Sequence, residues 1–531
     1  MIHEPVGSDR ERRLASHLPV VLALALVLAA QAGWSIATTS GTYDETTYLG
    51  LGRSLYGTLN GEPLAGWGVA PLPVLLTSAA PVLAGSPSYP RAITLARVSA
   101  IVLIGVPLVI VTYWTLLRVV GPEAAVAGTA LLSLSPNILA HASLATTDVC
   151  FTVATLGALA ALAHHVEKPS TRSAVLLGVT LAIALAAKYS ALGLFVIVAI
   201  ASFATSGSQR KSLVRRAVDA LALVTSLGGA ALLFVWVLHA LALVPYGLPP
   251  LETVPLPAPI VGIARQIHHQ SLGEPSFLMG QRSSGGWWYY MPAALAMKST
   301  PAELVTGAVA LVALMGSWRT RSPHGLIWRI AFVVFGGLAL INHVAFGIRY
   351  VLVLIPLAIF LAAERWFRAG NTTGWRAIVP GGLVALQLFS AAAIAPHYLS
   401  YFNSFAGGAE RGYFRLADSN VDWGQDLPAL RTELLRLGAK HPLLSYFGTA
   451  PIEAYGVQAD RWDGTVQDHF DRWDWVAISA TNLDGVFLLS DPFVDFRALT
   501  PGGRAGYSIL LYPTSREDVR HAMATAASRM R

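Results

Sequence analysis

The chain has 531 residues, 54% of them hydrophobic and 13% charged, with a mean hydropathy of +0.54. A soluble domain carries about 25% charged residues; half that share, with the apolar residues gathered in long runs, excludes a soluble globular protein. The net charge of +7 does not indicate nucleic acid, because the residues from His397 onward hold 16 acidic against 13 basic side chains. The basic excess lies among the apolar runs, with no basic groove motif interleaved with aromatics.

In chain order, Arg10, Arg12 and Arg13 precede the apolar run Leu18–Ile36. That arrangement is like a signal peptide, but the run is too long for a typical h-region and is read as an uncleaved first helix. Spans are predicted over 18–38, 92–117, 122–141, 148–165, 173–188, 190–206, 217–244, 302–318, 326–346, 350–367 and 377–396, about eleven in all. The two runs around Lys188 are short and read as a broken or tilted pair. The run 71–84 is short and rich in Pro, which favours an interfacial helix.

Lys and Arg in the short loops set the orientation. The N-terminus, Lys168 and Arg172, the cluster Arg210, Lys211, Arg215 and Arg216, then Arg319, Arg321 and Arg329, and finally Arg365, Arg368 and Arg376 all fall on one side. The positive-inside rule makes that side cytoplasmic. An odd number of spans then puts the C-terminus outside, in a plasma membrane crossed many times. Outside lie the loops 39–91 and 245–301 and the segment 397–531. The expected division is a membrane domain over 1–396 and an extracytoplasmic domain over 397–531. In the latter, Asp426–Leu437 has helical spacing ended by Gly438, strand-like runs follow at Leu443–Phe447, Trp475–Ser479 and Ser508–Tyr512, and a last helix starts near Ser515. The expected fold class is a polytopic α-helical membrane protein with a small extracytoplasmic α/β domain.

The residues with chemistry concentrate on the outer face. Asp44 and Glu45 stand in TYDET directly after the first span. They read equally as a helix cap, with Asp44 as N-cap and Glu45 in the first turn, or as a carboxylate base. Asp148 ends LATTD between two spans; a carboxylate at that depth is a site candidate by default, with an N-cap role as the competing reading. Lys188 in AAKYS and Arg349 in GIRY interrupt apolar stretches and either snorkel to the interface or hold an anion. Two cations facing acids on one side is what an anionic lipid substrate and a general base require. His141, His268, His269, His343 and His397 lie near this face without metal-ligand spacing. The single cysteine, Cys150, permits neither an intrachain disulfide nor a Cys-based metal site. No Walker loop is present.

Four stretches are similar to the GT-C glycosyltransferases, specifically the protein-O-mannosyltransferase and aminoarabinose-transferase group. They are TYDETTYLGLGRSL (Thr42–Leu55), SPNILAHASLATTD (Ser135–Asp148), GQRSSGGWWYYMPAALAMKSTP (Gly280–Pro301) and GIRYVLVLIPL (Gly347–Leu357). A fifth, YFNSFAGGAERGYFRLADSNVDWGQDL (Tyr401–Leu427), resembles a stretch of bacterial lipid-carrier-dependent glycosyltransferases. The resemblance implies transfer of a sugar from a polyprenyl-phosphate donor, with inversion at its anomeric carbon. The acceptor would be a protein, lipid or polysaccharide on the outer face. It implies Asp44 as leading base with Glu45 beside it. Substrate contacts are expected from Asp148, Lys188, Arg349, Tyr350, Trp287, Trp288, Asp422 and Trp423, with the two cations on the phosphate. The lumenal β-trefoil of the eukaryotic enzymes is missing. A divalent cation is left open, and no other cofactor is expected. A polytopic transporter or lipid flippase is the alternative from another class.

Overall fold

Proline, glycine and polar caps decide where the apolar runs break into helices. The computed structural model describes residues 7–85, 87–205, 212–316, 323–367, 375–462 and 470–530. Arg210, Lys211, Arg319, Arg321 and Arg368, which carry part of the orientation argument, lie outside the described residues. Each of the eleven predicted stretches contains helix. Five helices are long and apolar enough to cross a membrane alone: Ser16–Thr38, Tyr89–Val119, Asp148–Glu167, Leu213–Leu238 and Pro323–Leu340. The pair Pro122–Ser133 and Pro136–Ala142 makes a sixth, bent by 65°. Shorter apolar helices are Pro71–Leu83, Thr171–Ala187, Tyr189–Thr205, Pro301–Met315 and Ile378–Ile394. At about 1.5 Å per residue these fall short of a hydrocarbon core about 30 Å thick.

The breaks have local causes. Pro136 sits in the first turn after Ser135, whose Oγ caps Ile138 N–H and donates to Glu303 Oε1, while Asn137 Nδ2 donates to the Lys298 carbonyl at 2.8 Å. Polar side chains therefore satisfy the backbone that the bend exposes. The helix Thr171–Ala187 stops at Lys188, whose extended backbone (φ −164°, ψ 139°) leads into a short 3-10 turn over Tyr189–Ala191. The broken pair expected around Lys188 is thus present.

Toward the C-terminus, five short strands form one sheet. Its order is Asp460–Arg461, Pro442–Ser445, Trp475–Ser479, Ile509–Pro513, Gly503–Ala505, with the first three parallel and the last two antiparallel to their neighbours. Residues alternate between its faces. Ala477, Ile509 and Leu511 pack with Leu427, Leu430 and Leu434 of the helix Leu427–Leu437, whereas Val476, Ile478, Leu510 and Tyr512 join the core that holds Val519, Ala522 and Met523 of the helix Glu517–Met530.

This α/β segment is laced to one end of the helix bundle by backbone bonds. Ser40 N donates to Gln425 O at 2.8 Å, Tyr43 N to Trp423 O at 2.9 Å, Met279 N to Arg415 O at 2.8 Å and Asn403 N to Met297 O at 3.0 Å. The buried Lys298 ammonium donates to the carbonyls of Leu399 and Asn420. The same end of the bundle carries the candidate site.

Candidate active site

The sequence Thr42-x-x-Glu45 is a capping box: Thr42 caps the helix Tyr43–Thr58 and Glu45 returns to the Thr42 N–H at 2.8 Å. The cap is therefore Thr42, correcting the reading of Asp44 as N-cap, because only Glu45 stands three residues after a hydroxyl that can reciprocate. Asp44, released from capping, presents Oδ2 to Arg349 Nη1 at 2.7 Å and is 23% exposed. Asp148 is likewise no cap; Thr147 precedes it and Asp148 opens the helix Asp148–Glu167.

Asp148 Oδ1 accepts from Lys188 Nζ at 2.6 Å, and its Oδ2, enclosed and without a hydrogen bond, lies 3.9 Å from Arg349 Nη1. The result is a chain of alternating charge, Asp44, Arg349, Asp148, Lys188. It is assembled from the start of the helix Tyr43–Thr58, the start of the helix Asp148–Glu167, the break between two others and the turn Ile348–Val351. Lys188 is 22% exposed, so the charge chain is partly open at both ends, at Asp44 and at Lys188.

Close backbone approach sets the position of Arg349. A Cβ at Gly347 would fall 2.6 Å from Ser419 Oγ, so glycine is required there. Ser419 Oγ donates to Phe346 O at 3.0 Å, and Ile348 N donates to Asn420 Oδ1 at 3.1 Å. The guanidinium carbon then rests 4.3 Å from the centre of the Trp423 ring and 5.2 Å from that of Tyr350, while Lys188 Nζ stands 4.6 Å from the Tyr350 centroid. These rings hold both cations by cation–π attraction. Arg349 Nη1 faces the carboxylates, yet Nε is buried and has no hydrogen-bond partner. A buried donor left unmade costs about 1–3 kcal/mol, which a bound anion would recover.

Of the predicted site residues, Asp44, Asp148, Lys188, Arg349, Tyr350 and Trp423 come together. Trp423 is 1% exposed and supports Arg349 from beneath. Glu45 turns the other way. It is buried, accepts Arg97 Nε at 2.8 Å, Arg97 Nη2 at 2.7 Å and Ala145 N at 2.9 Å, and has no free lone pair facing the cluster. Burial alone would raise its pKa, but Arg97 outweighs burial and holds it below the usual value. Asp422 is also buried, with Oδ2 accepting from Thr481 N at 2.9 Å and Oδ1 from Gly424 N at 3.3 Å, and it ties the loop to the helix Ala480–Leu483. Trp288 is 70% exposed and edge-on to Tyr289, and Trp287 packs on the core; among the described residues the rings over Arg349 and Lys188 are those of Phe346, Tyr350 and Trp423.

The aromatic wall comes from elsewhere. Tyr43 stacks on Phe447 at 5.4 Å, Phe447 on Phe487 at 5.5 Å, and Phe487 meets Phe346 at 6.0 Å, three residues before Arg349. No sequence signal joins these rings, which lie on separate segments. Asp418 has no mark of its own in the sequence. It stands in the same acidic stretch as Asp422, and only the turn over Asp418–Asn420 determines which of the two faces Arg349. Among the described residues, no three His, Cys, Asp or Glu side chains gather as metal ligands, and His141 sits buried, edge-on to Trp423 at 6.4 Å.

A family profile described as dolichyl-phosphate-mannose-protein mannosyltransferase matches residues 93–237. No curated protein matches in sequence. Among solved structures, ArnT from Cupriavidus metallidurans bound to undecaprenyl phosphate aligns at 14% identity with a TM-score of 0.50, covering 95% of this chain and 99% of that one. The archaeal oligosaccharyltransferase AglB from Archaeoglobus fulgidus, in complex with an inhibitory peptide and a dolichol-phosphate, aligns at 14% identity and TM-score 0.51, covering 97% and 78%. At these identities the likeness is one of fold. The chain has the GT-C membrane fold, in the form shared by mannosyltransferase-like and ArnT-like proteins.

Proposed function

We propose that this protein is a glycosyltransferase that moves a sugar from a polyprenyl-phosphate carrier to a hydroxyl acceptor at the outer face of the membrane. The observation that carries the reading is the unpartnered Nε of Arg349, next to a carboxylate and a second cation at one end of a helix bundle. The lipid phosphates in the two similar structures support the same class of donor for this chain. The basic cytoplasmic loops support an outward site, with residues 397–531 on the extracytoplasmic side and the N-terminus in the cytoplasm.

The charges balance through the reaction. Asp44, Asp148, Lys188 and Arg349 sum to zero, and a sugar-bearing phosphodiester adds one negative charge. Its phosphate takes the guanidinium of Arg349 and the exposed protons of Lys188, while Asp148 keeps Lys188 in place. Asp44 removes the proton of the acceptor hydroxyl as that oxygen bonds to the anomeric carbon from the face opposite the phosphate. The bond from that carbon to the phosphate oxygen breaks, and its electron pair stays on the departing phosphate, stabilised by the two cations. The ring carbon is thereby inverted. The proton on Asp44 then passes to the phosphate or to water.

The test is transfer by purified protein in liposomes without any gradient, supplied with labelled polyprenyl-phosphate mannose and a cell-envelope extract as source of acceptors. Label reaching an acceptor supports the reading. Lipid movement across the bilayer with no transfer would replace it by the transporter class. Arg349→Lys keeps the charge but not the planar fork. It is expected to weaken polyprenyl-phosphate binding about 10- to 100-fold, as the loss of a charge-assisted bond implies. An unchanged dissociation constant by fluorescence quenching would remove Arg349 from the phosphate site.

A further inference from the structure

Asp418 is a third carboxylate at the site, and resting on the reading above it has a separate role. Its backbone adopts φ +56°, a left-handed conformation that Asp tolerates better than most residues but that is held here by its surroundings. Asp418 N donates to Thr481 Oγ1 at 3.0 Å, and the Asp418 carbonyl accepts from Val421 N and Asp422 N at 2.9 and 3.0 Å. The next two residues are stitched to Phe346 and Ile348, immediately before Arg349. The side chain is thus fixed next to Arg349 and is 8% exposed. Oδ1 accepts the Ser419 N–H. Among the described residues Oδ2 makes no hydrogen bond apart from the Ser419 hydroxyl near the carboxylate, and it is not enclosed, unlike the sealed Oδ2 of Asp148.

We propose that Asp418 recognises the donor sugar, its open Oδ2 meeting a hydroxyl of the ring joined to the phosphate on Arg349 and Lys188. A sugar attached to that phosphate lies within one ring of the cations, the region Asp418 borders. Asp44 at the same place is assigned to the acceptor hydroxyl, and Asp422 is committed to Thr481. Burial pushes the Asp418 carboxyl up to about 7, with Arg349 pulling it down and Asp44 pushing it up; Tyr290 and Tyr350 are the other titratable groups facing it. Below that pH the group carries a proton and donates to the sugar; above it the group only accepts.

The experiment compares thermal stabilisation of the full-length protein by bare polyprenyl phosphate and by polyprenyl phosphates carrying mannose, glucose or arabinose. Wild type is expected to bind one sugar form about 3- to 10-fold more tightly than the bare lipid, the worth of one hydrogen bond. Asp418→Ala is expected to lose that surplus while binding the bare lipid as tightly as wild type or more tightly, since a negative charge beside Arg349 is gone. Asp418→Asn, which keeps an acceptor oxygen and a donor without a charge, is expected to retain part of it and to remove any dependence of it on pH across about 7. A surplus that persists in Asp418→Ala, or weaker binding of the bare lipid in that variant, overturns the proposal and leaves the glycosyltransferase reading standing. Binding of neither lipid form by wild type overturns both.

Discussion

Asp44→Asn is expected to lower turnover by about 100- to 10,000-fold, the contribution of a positioned general base, while the protein stays folded. Asparagine has the shape of aspartate but cannot take the acceptor proton. The variant also releases Arg349 from its 2.7 Å pair, so polyprenyl phosphate should bind as tightly as before or more tightly. Activity and affinity therefore move in opposite directions, which general damage to the fold cannot produce. The measurement is single-turnover transfer alongside lipid-phosphate titration. Turnover within a few-fold of wild type would take the base role away from Asp44.

The next residue in the chain behaves in the opposite way. Glu45→Ala is expected to destabilise the protein by about 3–5 kcal/mol, the cost of stranding one member of a buried ion pair. Both partners are 1% exposed, and Arg97 also binds Thr39 and Ser40 through the same guanidinium. The N–H of Ala145 loses its acceptor too, which loosens the LATTD turn that carries Asp148. The double variant Glu45→Met with Arg97→Met should recover part of the loss, since no buried charge remains. Recovery stays incomplete because the N–H groups of Thr42 and Ala145 still lack partners. Because the folded Glu45 pKa is depressed, its contribution is present above the unfolded value near 4.3 and disappears as pH falls through the folded one. A thermal midpoint of Glu45→Ala within about one degree of wild type would refute the structural role.

Adjacent residues with the same charge thus have separate fates, and the reason is not visible in TYDET alone. Helix periodicity puts Asp44 and Glu45 about 100° apart on one turn, so one of them must face away from whatever the other faces. The capping box makes Glu45 legible in the sequence: Thr42 three residues earlier is the signal. Arg97 lies 52 positions away and has no local mark of its own. In the acidic stretch Asp418–Leu427 the same ambiguity recurs. Asp422 and Trp423 are expected as substrate contacts, yet they are buried at 0% and 1%, and Asp418 holds the open oxygen. Residues four apart in an irregular turn have no period from which exposure can be read.

The sequence by itself determined the membrane class, the break at Lys188, the α/β character of the C-terminal segment and the end of the molecule where the charges collect. Those features follow from runs of apolar residues, from where charge interrupts them and from period-2 and helical spacing, all of which act within a few residues. Only the tertiary structure decided which charges pair. Asp44 with Arg349, Asp148 with Lys188, and Glu45 with Arg97 join positions 305, 40 and 52 apart in the chain. Burial is what makes such partners obligatory, since a charge out of water must find its opposite. Which opposite lies near enough depends on how the helices pack, and no local pattern contains that.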